Sequence, residues 1–434
     1  MARLNTLDEE LPPLTYNQAA VEAARCLMCY DAPCTHACPT HIDIPKFIKK
    51  ISTHNLLGSA RTILESNLLG ASCARVCPVQ ELCEGACVLG AEHKPIAIGR
   101  LQRYAMDFIY GKGINLFPPA KPAGTTVAVI GAGPAGLSCA GELAKRGHSV
   151  TVFEKRDLAG GLSTYGIISL REPVEVALAE VGLIERLGVK IVTGKELGTH
   201  FAIAELQANF DAVFLGLGLG ATPELGIPGE EHIIHGLAYI ERSKLDPSGL
   251  KVGREVVVIG AGNTAIDCAT VAKRLGARQV TMVYRRTEKE MTAYPHEYEF
   301  IQREGVGFSF LTQPVRVHVE NGAVKSLACL RMSLGAMDAS GRPSPRPVPG
   351  SEFSLPADQI VKAIGQEKLA VTSQLQLKTE KGFIQVSDKF ETNLPGVYAG
   401  GDCVRARGAA STVMAVQDGK LAALAIHERL VAHG

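Results

Sequence analysis

Eight of the twelve cysteines fall early in the chain, as Cys26-x2-Cys29-x4-Cys34-x3-Cys38-Pro39 and then Cys73-x3-Cys77-Pro78-x5-Cys83-x3-Cys87. Closely spaced thiolates ending in Cys-Pro are how iron-sulfur clusters are held, and in two-cluster proteins the last cysteine of a run commonly ligates the other cluster. Structural zinc, the first rival, favours two Cys-x2-Cys knuckles, and only Cys26 and Cys29 form one. Disulfides are the second rival. Against them, an acidic, proline-interrupted stretch runs from Asp8 to Pro13 with no basic-then-apolar leader, which points to a reducing cytoplasm.

Two glycine turns follow. Val127-Ala128-Val129-Ile130 reads as a short apolar strand running into Gly131-Ala132-Gly133-Pro134-Ala135-Gly136, a helix from Leu137 to Arg146 and a second strand from Ser149 to Phe153. In that context Gly131 makes the tight turn, Gly133 admits a pyrophosphate to the backbone amides, and Gly136 lets helix pack on strand. Glu154, at the end of the second strand, is placed to accept from ribose hydroxyls. The pattern repeats as Val256-Val257-Val258-Ile259, then Gly260-Ala261-Gly262-Asn263-Thr264-Ala265, a helix to Leu275 and a strand from Gln279 to Tyr284. Here Arg285 and Arg286 stand where the first unit has its acid, and arginines can pair with a 2′-phosphate. A solvated surface pair is the bland alternative.

Two such units imply two dinucleotides. A flavin converts a hydride pair into single electrons for clusters, so one site is expected to hold FAD and the other NADPH or NADH. The FAD site falls to the first unit because Val397-Tyr398-Ala399-Gly400-Gly401-Asp402 reads as a strand ending in an acid, followed by a helix from Ser411 to Leu424. Asp402 would reach a ribityl hydroxyl, and the helix start near Val413 to Val416 would offer amides to the flavin edge. A simple cap is the alternative role for Asp402.

The elements that position these residues follow from pattern and composition. The 434 residues, 45 of them glycine, suit two to four domains of nucleotide-binding α/β type. From Pro39 to Tyr110 apolar residues such as Phe47, Ile48, Ile51, Ile63 and Leu64 recur at helical spacing. Gly111-Lys112-Gly113 and Phe117-Pro118-Pro119-Ala120-Lys121-Pro122 then form a linker. The expected fold class is α/β: an N-terminal all-α iron-sulfur domain (1–115), then two Rossmann-like nucleotide-binding domains. The NAD(P) domain (233–365) is inserted in the FAD domain (121–232 and 366–434). A net charge of +1 leaves no footprint for nucleic acid, and no apolar run approaches the roughly 18 to 20 residues of a membrane span.

On these motifs the chain, over roughly residues 20 to 425, resembles the flavin-containing half of dihydropyrimidine dehydrogenase and its relative, the small subunit of glutamate synthase. Ile98-Gly99-Arg100-Leu101-Gln102-Arg103 has glutamine where the glutamate-synthase-like branch usually has glutamate, and Gly160-Gly161-Leu162-Ser163-Thr164 also follows the pyrimidine branch, which assigns Gly161 and Leu162 to the flavin site. The resemblance implies one 4Fe-4S cluster on Cys26, Cys29, Cys34 and Gln102 and a second on Cys38, Cys77, Cys83 and Cys87, with Cys73 left as a small buried residue. From spacing alone Gln102 reads as an ordinary helix-surface residue. The sequence departs from the family after Tyr165-Gly166-Ile167, where Ile168-Ser169-Leu170-Arg171-Glu172-Pro173 replaces a Phe-Arg-Leu-Pro-like stretch.

Cys139, Cys268, Cys329 and Cys403 are isolated in sequence, so a thiol-disulfide mechanism is set aside in favour of core packing. The expected activity is electron input from NAD(P)H through FAD and two clusters to an FMN-containing partner that interconverts uracil or thymine with their dihydro forms, in a heterotetramer. No residue of this chain is expected to act as a catalytic acid or base, because hydride transfer between nicotinamide and flavin needs orientation and electrostatics more than a proton donor. The glutamate synthase small subunit, a ferredoxin-linked NADPH oxidoreductase and a redox-sensing adaptor are the alternatives.

Overall fold

The structure is a computed structural model that describes residues 7–338, 341–405 and 410–432. Up to Gly111 the described chain is helical. Thr15 and Gln18 form a reciprocal capping box at the start of Tyr16–Ala24, and Asp43 caps Ile44–Ser52 through the Lys46 amide. Ile44, Phe47, Ile48 and Ile51 form the buried face of the latter helix, each contributing roughly 1.5–3 kcal/mol on burial. Truncating Phe47, which is fully buried, would cost about 3–5 kcal/mol.

Beyond the linker, five parallel strands line up as Val397–Ala399, Ala212–Leu215, Thr126–Ile130, Ser149–Phe153 and Lys190–Val192. The first of these comes from late in the chain and pairs with Ala212–Leu215, so a unit is inserted between the two strands. That insertion builds a second parallel sheet in the order Ile234–His235, Gln359–Lys362, Glu255–Ile259, Gln279–Val283 and Gly307–Ser309. The strands are apolar runs because both faces are covered, as in other parallel sheets.

The chain divides into two compact units, one of Glu10–Thr164, Arg171–Gly220 and Lys368–Gly434, the other of Met1–Glu9, Tyr165–Leu170 and Ala221–Glu367. The cysteine helices and the first sheet therefore belong to one unit. Leu68, Leu69 and Cys73 lie in the same apolar core as Val127, Leu137 and Val152. The inserted unit begins at Ala221, upstream of the expected boundary at 233. Its entry and exit are joined, since the Glu367 amide donates to the Ala221 carbonyl at 2.8 Å.

Two features lie outside the sequence reading. Thr312–Glu320, Ala323–Met337, Pro343–Pro347 and Phe353–Pro356 make an antiparallel sheet within the inserted unit. The loop that departs from the family pattern divides its residues: Ile168 and Leu170 are buried in the inserted unit's core with Tyr239 and Ile266, whereas Arg171 and Glu172 fall in the other unit. Among the described residues no helix is long and apolar enough to cross a membrane.

Candidate electron-transfer site

The cysteines gather in two groups. Cys26 follows the helix Tyr16–Ala24, Met28 turns the backbone with φ +52°, Cys34 lies in the short helix Pro33–Ala37, and Cys87 immediately precedes a single 3-10 turn, Val88–Ala91. Together Cys26, Cys29, Cys34 and Cys87 line one pocket whose remaining wall is apolar, with Ile44, Ile48, Leu89 and Ile98 prominent. Burial pushes the Cys34 thiol up to about 11, and the neighbouring Cys26 and Cys87 sulfurs add to the shift. Burial raises Cys26 too, with Cys29 and Cys87 adding.

The second group surrounds the end of the helix Gly70–Val76. Cys77 caps that helix, and its thiol is pushed well up by its hydrogen bond to Cys73, by burial, and by the nearby Cys83 and Cys38. Burial likewise raises Cys83, with Glu84 and Cys38 adding. Gln102 is buried in the helix Ile98–Gly111, and its Nε2 donates to the Gly70 carbonyl at 2.7 Å.

This grouping differs from the one the resemblance implied. Cys87 joins Cys26, Cys29 and Cys34, while Gln102 bonds to the helix that carries Cys73 and Cys77. The crossing is tighter than spacing suggested, because the turn from Cys83 to Cys87 carries the last cysteine back to the first run. Cys73, expected to be a bystander, is buried but touches Cys77. Thiols that suppress one another's ionisation in an apolar pocket fit a metal centre, whose positive charge stabilises thiolate. Among the described residues no three His, Cys, Asp or Glu side chains meet closely enough to hold a single ion. Four sulfurs bordering a volume suit a cluster of several irons.

A carboxylate network absent from the sequence reading supports the second group. Glu180, on the helix Val174–Arg186, accepts from the Ala71 amide at 2.6 Å and the Ser72 amide at 3.2 Å, satisfying first-turn donors of the cysteine helix. The Ser72 hydroxyl contacts both Glu180 and Glu172, each buried. Two buried carboxyls around one hydroxyl favour a proton on one of them, since a single serine hydrogen serves one acceptor. Burial pushes Glu180 up to about 8, opposed by the Ser72 hydrogen bond and reinforced by Glu172. Nothing local in the sequence marks these acids, which sit a hundred residues and more from their partner.

The first glycine turn is built as its spacing requires. Gly131 has φ +97°, and a Cβ there would lie 2.4 Å from the Gly216 carbonyl oxygen, while one on Gly136 would lie 1.9 Å from the Gly131 oxygen. Gly133 precedes the helix Pro134–Ala144, whose first residues are Pro134 and Ala135, and Gly161, just ahead of the turn Leu162–Tyr165, lies so close to Gly133 that a Cβ on it would sit 2.7 Å from the Gly133 Cα. Glu154 is buried at its strand end, accepting from the Ala132 amide at 2.8 Å and the Arg156 amide at 2.9 Å. The bond to Ala132 ties the acid to the glycine turn itself.

The chain's end closes over this turn. The helix Thr412–Ala432 runs further than expected and packs on Pro134–Ala144: Ser138 Oγ donates to the Val416 carbonyl at 2.7 Å, and a Cβ on Gly419 would lie 2.1 Å from the Ala135 oxygen. Asp418, unmarked in sequence, accepts from the Gly401 amide at 3.0 Å and from Arg405. Burial raises Asp402, opposed by Arg405 and reinforced by Asp418.

In the second unit Gly260 has φ +135° and a Cβ on it would lie 2.2 Å from the Ala363 oxygen. Gly262 precedes the helix Asn263–Arg274, which includes Thr264, and Asn263 Oδ1 accepts from the Tyr294 amide at 3.1 Å. The two arginines beyond the next strand differ. Arg285 is exposed. Arg286 is buried, donating from Nε to the Pro343 carbonyl at 2.9 Å and pairing with Asp338 at 2.7 Å. The expected pair is thus one exposed cation and one that anchors the antiparallel sheet, a partner no local pattern could announce.

Residues 125–419 match the family model for pyridine nucleotide-disulphide oxidoreductases. The chain belongs to that family. Residues 3–114 match a second model, dihydropyrimidine dehydrogenase domain II with its 4Fe-4S cluster. The oxidoreductase is 36% identical over 432 residues to the NAD-dependent dihydropyrimidine dehydrogenase subunit PreT of Escherichia coli K12, covering 99% of this chain and 98% of that one. It is 40% identical over 429 residues to the NADP(+)-dependent formate dehydrogenase subunit beta of Moorella thermoacetica, covering 92% of this chain but 60% of that longer one. Among solved structures, FprA of Mycobacterium tuberculosis shares the fold with a TM-score of 0.59 at 19% identity, over 72% of this chain and 85% of that one. The protein is accordingly an NAD(P)-dependent flavin and iron-sulfur oxidoreductase, with FAD, 4Fe-4S and nicotinamide as its cofactors. Cys139, Cys268, Cys329 and Cys403 are all buried.

Proposed function

We propose that this chain is the electron-input subunit of a dihydropyrimidine dehydrogenase, passing electrons from NAD(P)H through FAD and two 4Fe-4S clusters to an FMN-containing partner chain that interconverts uracil or thymine with their dihydro forms. One cluster rests on Cys26, Cys29, Cys34 and Cys87, the other on Cys38, Cys77, Cys83 and Gln102. The observation that carries this reading is the Gln102 amide bonded to the first residue of the helix ending at Cys77, since that bond fixes Nε2 and leaves Oε1 as the atom able to meet iron. The end-to-end match to a dihydropyrimidine dehydrogenase subunit supports it. FAD held here would supply the conversion of a hydride pair into single electrons. The chain's own residues bind and orient: the Gly131 to Gly136 turn holds the pyrophosphate, Glu154 the ribose, Gly161, Leu162, Gly401 and Asp402 the flavin side, and Gly260, Gly262, Asn263 and Thr264 the nicotinamide nucleotide.

The deciding experiment combines purified chain with an FMN-containing partner and follows uracil-dependent oxidation of NADH and NADPH. Absence of pyrimidine turnover with every such partner, alongside intact iron and FAD, would move the chain to another complex. The relationship to a formate dehydrogenase subunit of higher identity favours that second reading. For the coenzyme, Arg285 is the exposed one of the two arginines and the candidate for a 2′-phosphate. Arg285→Ala is expected to weaken NADPH roughly ten- to a hundredfold, as loss of one charge-assisted contact does, while sparing NADH. Equal losses would return Arg285 to a solvated surface role.

A further inference from the structure

Lys420 connects the two halves of the electron path. It follows directly on Asp418 and Gly419, which hold the Gly401 amide and pack against the phosphate turn. Its ammonium reaches the cysteine domain, donating to the Thr40 carbonyl at 3.1 Å and the Ser66 carbonyl at 2.9 Å. Thr40 stands two residues after Cys38, is fully buried, and lies with its hydroxyl 3.4 Å from the Cys38 sulfur. Ser66 ends the helix Leu56–Ser66, just ahead of the helix that leads to Cys77. A single cation therefore ties together the segments that present two ligands of one centre and roots them in the helix that closes the flavin site. Burial lowers the Lys420 pKa, with Glu142 opposing that shift and Cys38 also favouring the charged form.

We propose that Lys420 is a positioning residue for the centre held by Cys38, Cys77, Cys83 and Gln102, fixing its loop and raising its reduction potential through the positive charge. The inference rests on the ligand sets proposed above. Each electron delivered from reduced flavin, itself reduced by NAD(P)H, adds one negative charge to the centre. A half-buried cation nearby stabilises that added charge far more than one in bulk water would. No proton leaves the ammonium, and the carbonyl bonds keep it from swinging to solvent. The other centre, on Cys26, Cys29, Cys34 and Cys87, has no contact with this side chain among those described.

The test is a potentiometric titration of the holoprotein, followed by the paramagnetic resonance of each cluster, for the wild type, Lys420→Met and Lys420→Arg. In Lys420→Met the centre on Cys38 should become about tenfold harder to reduce, equivalent to about 59 mV for a one-electron couple, while the other centre keeps its potential. Lys420→Arg should stay near the wild type, because charge is retained. An unchanged potential in Lys420→Met, or an equal shift of both centres, overturns the proposal. If Lys420→Met loses iron, Lys420→Gln is titrated instead: a selective fall supports the proposal and an unshifted centre overturns it. Iron and FAD content of the wild type are measured first, and absence of two clusters there would refute the ligand sets rather than the role of Lys420.

Discussion

The two cysteine groups lie in unlike surroundings. Cys26, Cys29, Cys34 and Cys87 line an apolar cavity beside the exposed Leu27, Tyr30 and Val88. Cys38, Cys77 and Cys83 lie among polar partners: Gln102 bonded to Gly70, the Ser72 network with Glu172 and Glu180, and Lys420 on Thr40. An apolar pocket near solvent leaves little for the protein to adjust. A buried one lined by fixed charges and amides lets single side chains set a centre's potential and stability. Within the polar group Cys77 packs on the core that holds the first sheet, while Cys38 belongs to the core of the cysteine helices.

The largest effect that could break this contrast is on iron itself. Cys87→Ser should remove the cluster of the apolar cavity, about half of roughly eight irons per chain, and leave the signal of the other centre. Cys83→Ser should do the reverse. If Cys87→Ser instead abolishes the signal that Cys38→Ser abolishes, the grouping is wrong and the sequence-based crossing stands.

Gln102→Ala should act next most strongly. It should alter the resonance and potential of the polar centre and spare reduction of FAD by NAD(P)H, because the flavin receives hydride before either cluster is involved. Electron delivery to a partner should then fall well over tenfold. An unchanged spectrum in this variant would return Gln102 to helix packing.

The smallest effect is on stability. The Glu180 carboxyl is held near 8 in the folded protein against an ordinary value of 4.5, so the folded state binds its proton more tightly than the unfolded state. That contribution is complete below about pH 4.5 and is lost as pH rises toward 8, at up to about 1.4 kcal/mol per pH unit. Apparent unfolding midpoints of the holoprotein should therefore drop more steeply over this range for the wild type than for Glu180→Gln. Parallel profiles would show that the network carries no proton.

Much of this was legible in the sequence, for definable reasons. Glycine turns are local, and Gly131, Gly136 and Gly260 sit where a Cβ would strike a carbonyl oxygen, so their spacing is nearly a structural statement. The all-helical cysteine domain follows from short-range periodicity in the same way. What escaped depends on distant partners. Whether Cys87 or Gln102 completes a group is decided by how the helix Ile98–Gly111 lies on Gly70–Val76. Arg286 looks like a ligand for phosphate until Asp338 is found beside it, and Glu172 and Glu180 carry no motif. The antiparallel sheet from Thr312 to Pro356 was missed because its strands are half-exposed and bulged, which blurs strict alternation.

The hydrogen bond between Ala221 and Glu367 has a bearing on how the chain matures. The first sheet needs Val397–Ala399 beside Ala212–Leu215, and a ribosome delivers the latter long before the former. Left disordered, the intervening segment would be a long loop to close. Folded first, with its entry and exit clasped together, it removes its own length from the loop, leaving only the segment from residue 368 onward to be ordered before the late strand docks. Synthesis of the inserted unit thus prepares the last strand's docking, and the flavin cradle is completed only when the final helix has left the ribosome.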